Sequence, residues 1–172
     1  MPGLRGHPFI LARIWLDYSS RIAHSLCIMP QLHTTQRSGY DFRMESRPCP
    51  FCTLPAARIV AQNDYGLWIY DGFPVSRGHS LIIPKRHIGS FFDASTSERA
   101  ALLELLDQAK AAVDAEHHPN GYNIGINDGA AAGQTVPHLH LHLIPRFLGD
   151  AADPRGGVRW VIPGKADYWS GR

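Results

Sequence analysis

The stretch Pro137-His138-Leu139-His140-Leu141-His142-Leu143-Ile144-Pro145 decides the fold. Successive side chains of an extended strand point to opposite faces, so one face carries His138, His140 and His142 and the other Leu139, Leu141 and Leu143. The leucine face needs an apolar partner, and the sequence supplies one. Ser95 with Glu98 three residues later is a capping box. Behind it Leu102, Leu105, Leu106, Ala109 and Val113 mark one face at helical spacing. The helix ends at His117-His118-Pro119-Asn120-Gly121, where Pro and Gly cannot continue it.

Working outward, Arg58–Gln62 and Leu67–Tyr70 read as a hairpin joined by the turn residues Asn63, Asp64 and Gly66. His79–Ile83 is a third strand ended by Pro84, Tyr122–Ile126 a fourth and His138–Ile144 a fifth. The fold class is therefore α+β, an antiparallel sheet of five strands with one main helix on one face.

The 172 residues suffice for one domain with a core. No run approaches the roughly 18 apolar residues that would span a bilayer, which predicts a protein without a membrane partner. The net charge of +2 hides an asymmetry: residues 1–48 hold six Arg against three acids, leaving 11 basic and 12 acidic residues for 49–172. A near-neutral domain excludes a broad nucleic-acid footprint. Residues 1–48 show no sustained period and no signal-peptide core; they read as a disordered extension or, with Met44 just ahead of the motifs, a mis-assigned start. Three cysteines argue against a disulfide framework and for a reducing, cytoplasmic compartment. Cys27 reads as an incidental thiol. Cys49-Pro50-Phe51-Cys52 is followed by Thr53, Leu54 and Pro55, which suits a metal knuckle better than a redox motif opening a helix. A pair of free thiols is the other reading.

Three imidazoles about 6.6 Å apart along a strand are poorly placed to share one metal but well placed to divide a task along an extended ligand. A neutral imidazole is a good nucleophile at phosphorus when its other nitrogen is held by an acceptor. A neighbouring imidazole can donate to a phosphate oxygen. The Gly- and Ala-rich loop Asn127–Gln134 just before the strand lets backbone N–H groups approach a phosphate. Lys85 and Arg86 fit either phosphate steering or a solvated basic turn.

Gly133-Gln134-Thr135-Val136-Pro137 followed by the three alternating histidines resembles the signature of the histidine-triad (HIT) family. The upstream block Pro74–His87 resembles that family's second block, and the likeness covers residues 49–148, with 149–172 a C-terminal tail of the same domain. The tail segment Asp153–Pro163 is similar to that of bacterial HIT hydrolases of diadenosine polyphosphates, within a zinc-bearing, partly Hint-like branch. The resemblance implies that His140 is the nucleophile, forming a nucleotidyl-histidine intermediate. It implies that His142 contacts the α-phosphate, that Gly133, Gln134 and Thr135 cradle phosphate, and that Asn127 lies near phosphate and ribose. It assigns Asp71 to the ribose hydroxyls, although an acid at a strand end is more often a turn residue. It also implies a structural zinc on Cys49, Cys52, His87 and His138, and a homodimer in which two sheets join at an edge.

The function implied is hydrolysis at the α-phosphate of a nucleoside 5′-phosphate derivative, a dinucleoside polyphosphate or a phosphoramidate. A nucleotidyltransferase or phosphorylase with the same intermediate, and a nucleotide-binding regulator with incidental turnover, are the alternatives. The part of the substrate beyond the α-phosphate is expected to meet Arg155, Arg159, Trp160 and Trp169 in the tail.

Overall fold

The computed structural model describes residues 48–171; the readings of residues 1–47, with Cys27 and Met44, lie outside them. The described chain runs β1 (Ile59–Gln62), β2 (Gly66–Tyr70), β3 (Ser80–Pro84), α1 (Thr96–His117), β4 (Gly121–Gly125), β5 (Leu141–Arg146) and a short α2 (Pro163–Ala166), with one 3-10 turn ahead of β1 and three between later elements. The strands form one five-stranded sheet in the order β1-β2-β3-β5-β4. Every neighbouring pair is antiparallel. The expected α+β architecture is the observed one.

The hairpin turn is closed by Asn63, whose Oδ1 accepts from the backbone of Tyr65 and Gly66 while its Nδ2 donates to Ala101 O on α1 at 2.8 Å. A Cβ on Gly66 would meet Leu102 Cδ2 at 2.8 Å and Ile83 O at 3.3 Å, so only glycine lets α1 pack this closely on the start of β2.

Each face of the sheet has its own core. On one, Trp68, Ile82, Leu139, Leu141 and Leu143 pack with Leu102, Leu105, Leu106 and Ala109 of α1. On the other, Leu67, Ile69, Leu81 and Ile83 pack with Phe51, Leu54 and Ile59. β2 and β3 are thus covered on both sides, which is why they read as unbroken apolar runs rather than alternations.

The largest difference from the expected strand boundaries is at the start of β5. The ladder of β5 begins at Leu141, not His138, because β3 pairs only with Leu141–Leu143 and β4 stops at Gly125 opposite His142. Leu139 N instead donates to Ile88 O, in the segment after β3. The pleat persists through this unpaired stretch: Leu139, Leu141 and Leu143 are all buried under α1.

α1 starts with both halves of its capping box formed, Ser95 Oγ accepting from Glu98 N and Glu98 accepting from Ser95 N. Glu98 also accepts two 2.8 Å bonds from Arg86, whose guanidinium reaches Asp93 O as well. Arg86 is thus neither a phosphate-steering group nor a freely solvated turn residue; it ties the end of β3 to the start of α1. The Arg86 bonds, then the Ser95 backbone bond, draw the buried Glu98 carboxyl from its ordinary 4.5 down to about 2. A carboxylate with a depressed folded-state pKa contributes stability that is complete above its unfolded value and lost as pH falls through the folded one. Denaturant unfolding of wild type and Glu98→Gln is therefore expected to show a gap in favour of wild type that is constant above pH 4.5 and closes as pH falls towards about 2. A gap unchanged down to the lower value would mean that the charge contributes nothing.

Candidate active site

The histidines enter the site from β5 and from the unpaired stretch before it, and each has one ring nitrogen taken by a different partner. His138 Nε2 donates to Pro84 O at 2.9 Å, which leaves Nδ1 bare and turned to the cysteines. Its Nδ1 lies 3.4 Å from Cys49 Sγ and 3.5 Å from Cys52 Sγ, and His87 Nδ1 lies 3.3 Å from Cys52 Sγ. All four ligand atoms fall within 4.8 Å of one another. Tetrahedral zinc with Zn–S near 2.3 Å and Zn–N near 2.0 Å requires S···N edges of about 3.5 Å, so the spacing fits a closed Cys2His2 site. Burial and the adjacent Cys49 push the Cys52 thiol up, which a bound cation would reverse. The backbone carbonyl behind His138 is the second partner that metal-bound imidazoles ordinarily have.

His140 is buried, and its Nδ1 donates to His138 O at 2.8 Å, which in the neutral ring makes Nε2 the bare nitrogen. Phe51, held between the two cysteines, stands edge-on to both His138 and His140, with centroids 5.8 and 5.2 Å away. The His142 ring is 5.0 Å from that of His140. Its Nδ1 is 3.0 Å from Nε2 of His79, a buried histidine just ahead of β3. Burial, helped by the neighbouring His140 and His79, pushes His142 down to about 4, so the ring is neutral near pH 7.

His140 and His142 open onto a cavity of about 420 Å³ whose walls include Phe51, Leu54, Ile69 and Leu81 on the apolar side. Asp71, Thr135, Arg58 and Phe73 also line it. The cavity thus combines an apolar wall, a carboxylate and two imidazoles, a composition suited to a nucleoside carrying a phosphate.

The residues expected at the site separate into two groups. Asp71, Thr135, His140 and His142 line the cavity. Asn127, Gly133 and Gln134 lie in the preceding loop and do not line it. Gln134 is occupied in closing that loop, accepting from Gly129 N and donating to Gly89 O, both at 2.8 Å. Gly133 sits at φ 87°, the left-handed region that only glycine adopts without strain. In the tail, Arg155 is paired with Asp153 and stacked on Trp169, Arg159 donates to Ala166 O and Lys165 O, and Trp160 donates to Arg155 O. These contacts lie within the tail, and none of the four side chains lines the cavity.

Sequence reasoning gave no role to His79, read as the first residue of a strand and as part of the Pro74–His87 block, and passed over Phe51, Leu54, Arg58 and Phe73. The signal for Phe51 was present: a residue between two ligand cysteines must follow them to His138. For His79 the signal was its place in the Pro74–His87 block, while its partner lies 63 residues away in the chain.

Comparison with known proteins agrees with this geometry. Residues 55–149 match the family model of the HIT domain. An uncharacterized HIT-like protein of Mycobacterium tuberculosis is 39% identical over 116 residues, covering 64% of this chain and 80% of its own. An AP-4-A phosphorylase of the same organism is 30% identical over 108 residues, 59% of this chain and 55% of the enzyme. The crystal structure of a Zn-bound histidine triad family protein from Mycobacterium smegmatis superposes with a TM-score of 0.54 at 35% identity, covering 69% of this chain and 93% of that one. With the family model spanning more than half of its length, the chain belongs to the histidine-triad, or HIT domain, family.

Proposed function

We propose that this protein cleaves nucleoside 5′-phosphate derivatives at the α-phosphorus through a nucleotidyl intermediate on His140. One observation carries the reading. Donation from His140 Nδ1 to His138 O leaves Nε2 as a bare lone pair in a cavity that also holds His142 and Asp71. A nucleophile with its tautomer imposed by a backbone carbonyl needs no separate base to activate it.

In the first step a bond forms from His140 Nε2 to the α-phosphorus, and the bond from phosphorus to the leaving group breaks with its electron pair. In the second, water attacks the same phosphorus and the N–P bond breaks, releasing the nucleoside monophosphate. His142 and the cavity-lining Thr135 are the donors proposed for the phosphoryl oxygens, where charge builds in each transition state. Asp71 is assigned to the ribose, and the Phe51–Leu54–Ile69–Leu81 wall to the base. A relative named for AP-4-A supports a dinucleoside polyphosphate as one substrate class, with phosphoramidates the other.

Intact-mass measurement after brief mixing with an adenosine phosphoramidate, and separately with diadenosine tetraphosphate, is expected to show one adenylate adduct on wild type and none on His140→Ala. Turnover by the variant should fall by more than about 1,000-fold. Adenosine diphosphate, rather than monophosphate, appearing only when inorganic phosphate is added would identify phosphate as the natural acceptor. Tight nucleotide binding without adduct or turnover would instead identify a binding protein.

We also assign a structural zinc ion to Cys49, Cys52, His87 and His138, whose spacing and donor set fit it. Four protein ligands leave no position for substrate, so the ion's chemistry is confined to fixing the Cys49–Leu54 segment and the stretch ahead of His140. Protein purified without chelator is expected to carry close to one zinc per chain. Cys52→Ser should lower that ratio and the melting temperature together, and a wild-type ratio near zero would overturn the assignment.

A further inference from the structure

The cavity crosses the strands of the sheet. His142 on β5 pairs with Leu81 on β3, Leu81 with Ile69 on β2, and Ile69 with Ile59 on β1, so the four residues form one row. Three of them, His142, Leu81 and Ile69, line the cavity. Neighbouring strands lie about 4.8 Å apart, so the row from β5 to β1 spans roughly 14 Å. With the α-phosphate at the His140–His142 end, the base lies over Leu81 and Ile69. The outer end of the row then meets the edge of the base that points away from the ribose.

Arg58, next to Ile59 in the chain, stands at that outer end and lines the cavity. Its guanidinium is held at two points. Nη2 donates to Tyr70 O at 3.0 Å, and the group lies over Gly72, where an added Cβ would stand 3.5 Å from Nη2 and 3.8 Å from Nη1. A guanidinium offers five N–H donors in a rigid plane, has no acceptor and stays charged. Tyr70 O takes one of the five. Among the described residues no carboxylate pairs with Arg58, and no second acceptor takes a hydrogen bond from it. Arg86, Arg146 and Arg155, by contrast, are each engaged by an acid. Arg58 therefore presents a fixed, donor-only face to the far end of the cavity.

We infer that Arg58 is a specificity-determining residue that donates to the outer edge of a purine base and makes the cavity favour guanine over adenine. The inference rests on the proposed reaction, with the α-phosphate at the histidines and the base on the apolar wall. In guanine O6 and N7 are both acceptors, and Arg meets them with two parallel bonds. In adenine the group at position 6 is an amino donor, which would face the donors of Arg58. A pyrimidine on the same ribose reaches less far along the row. The guanidinium is exposed, so water competes for it, and the preference belongs at the lower end of what such a contact supplies, about 10-fold.

The test compares guanosine, adenosine, cytidine and uridine 5′-phosphoramidates on full-length protein, read as kcat/KM and as nucleotidyl adduct. Wild type is expected to favour guanosine over adenosine by about 10-fold, with both pyrimidines slower than guanosine. Arg58→Met, which keeps the length of the side chain without its donors, should cut the guanosine value by about 10-fold and the adenosine value by far less. Arg58→Gln, whose amide sets an acceptor beside a donor, should turn the preference towards adenosine. A wild type without a preference for guanosine, or an Arg58→Met variant that keeps one, overturns the inference. Equal losses on all four bases also overturn it, since a merely structural role would act that way. Absence of any adduct and any turnover on wild type would instead overturn the nucleotidyl-histidine reading. Equilibrium binding of guanosine and adenosine 5′-monophosphates to wild type and Arg58→Met then decides the base preference by itself, which keeps the two failures apart.

Discussion

The pleat of the chain from His138 to Arg146 is the constraint on which the remaining structure depends. Leu139, Leu141 and Leu143 are 0–3% exposed beneath α1, and each such burial is worth roughly 2 kcal/mol. Because side chains alternate with a period of two, seating the leucines under the helix leaves the intervening histidines no face but the other. A slip of one residue would bury three imidazoles in the helix-side core and expose three leucines. The placement of the site is thus enforced by hydrophobic burial on the side of the sheet where no chemistry occurs.

Three identical side chains in a row acquire different properties through their second ring nitrogens. Pro84 O takes Nε2 of His138, His138 O takes Nδ1 of His140, and His79 meets Nδ1 of His142. The two carbonyl contacts determine which nitrogen of the neutral ring is bare: Nδ1 of His138 towards the cysteines, and Nε2 of His140, the proposed nucleophile. The first two partners are backbone carbonyls, which point where the local chain path puts them. The departure of the chain from the β5 ladder before Leu141 therefore matters, because it frees His138 O to meet the side chain two residues on.

The same economy appears at the end of β3. Arg86 is held by Glu98, and Glu98 also caps α1, so the helix that covers the leucines and the segment that carries His87 are tied by one carboxylate. Phe51 provides a second tie, packing on His138 and His140 from between the cysteines. The knuckle is therefore coupled to the proposed nucleophile by an aromatic contact as well as by chain connectivity. The tail, by contrast, satisfies its own arginines and Trp160, and its contact with the sheet is with β4.

Local pattern by itself determined most of this molecule. Alternation, the Ser95–Glu98 capping box and the Asn63–Gly66 turn are short-range signals, and the elements they specify form where expected, within a residue or so apart from the start of β5. The HIT resemblance likewise rested on contiguous blocks, and it brought Cys49, Cys52, His87 and His138 into one proposed site that the tertiary structure draws together. Tertiary structure alone decided what depends on contacts between distant segments. These are the contact of His79 with His142, the capture of Arg86 by Glu98, the engagement of Gln134 within its own loop, and the backbone carbonyls that hold His138 and His140. The reason is physical: a hydrophobic period records which face of an element is buried, whereas the hydrogen-bond partner of a buried polar atom depends on which strand lies alongside, and no local pattern in the chain encodes that neighbour.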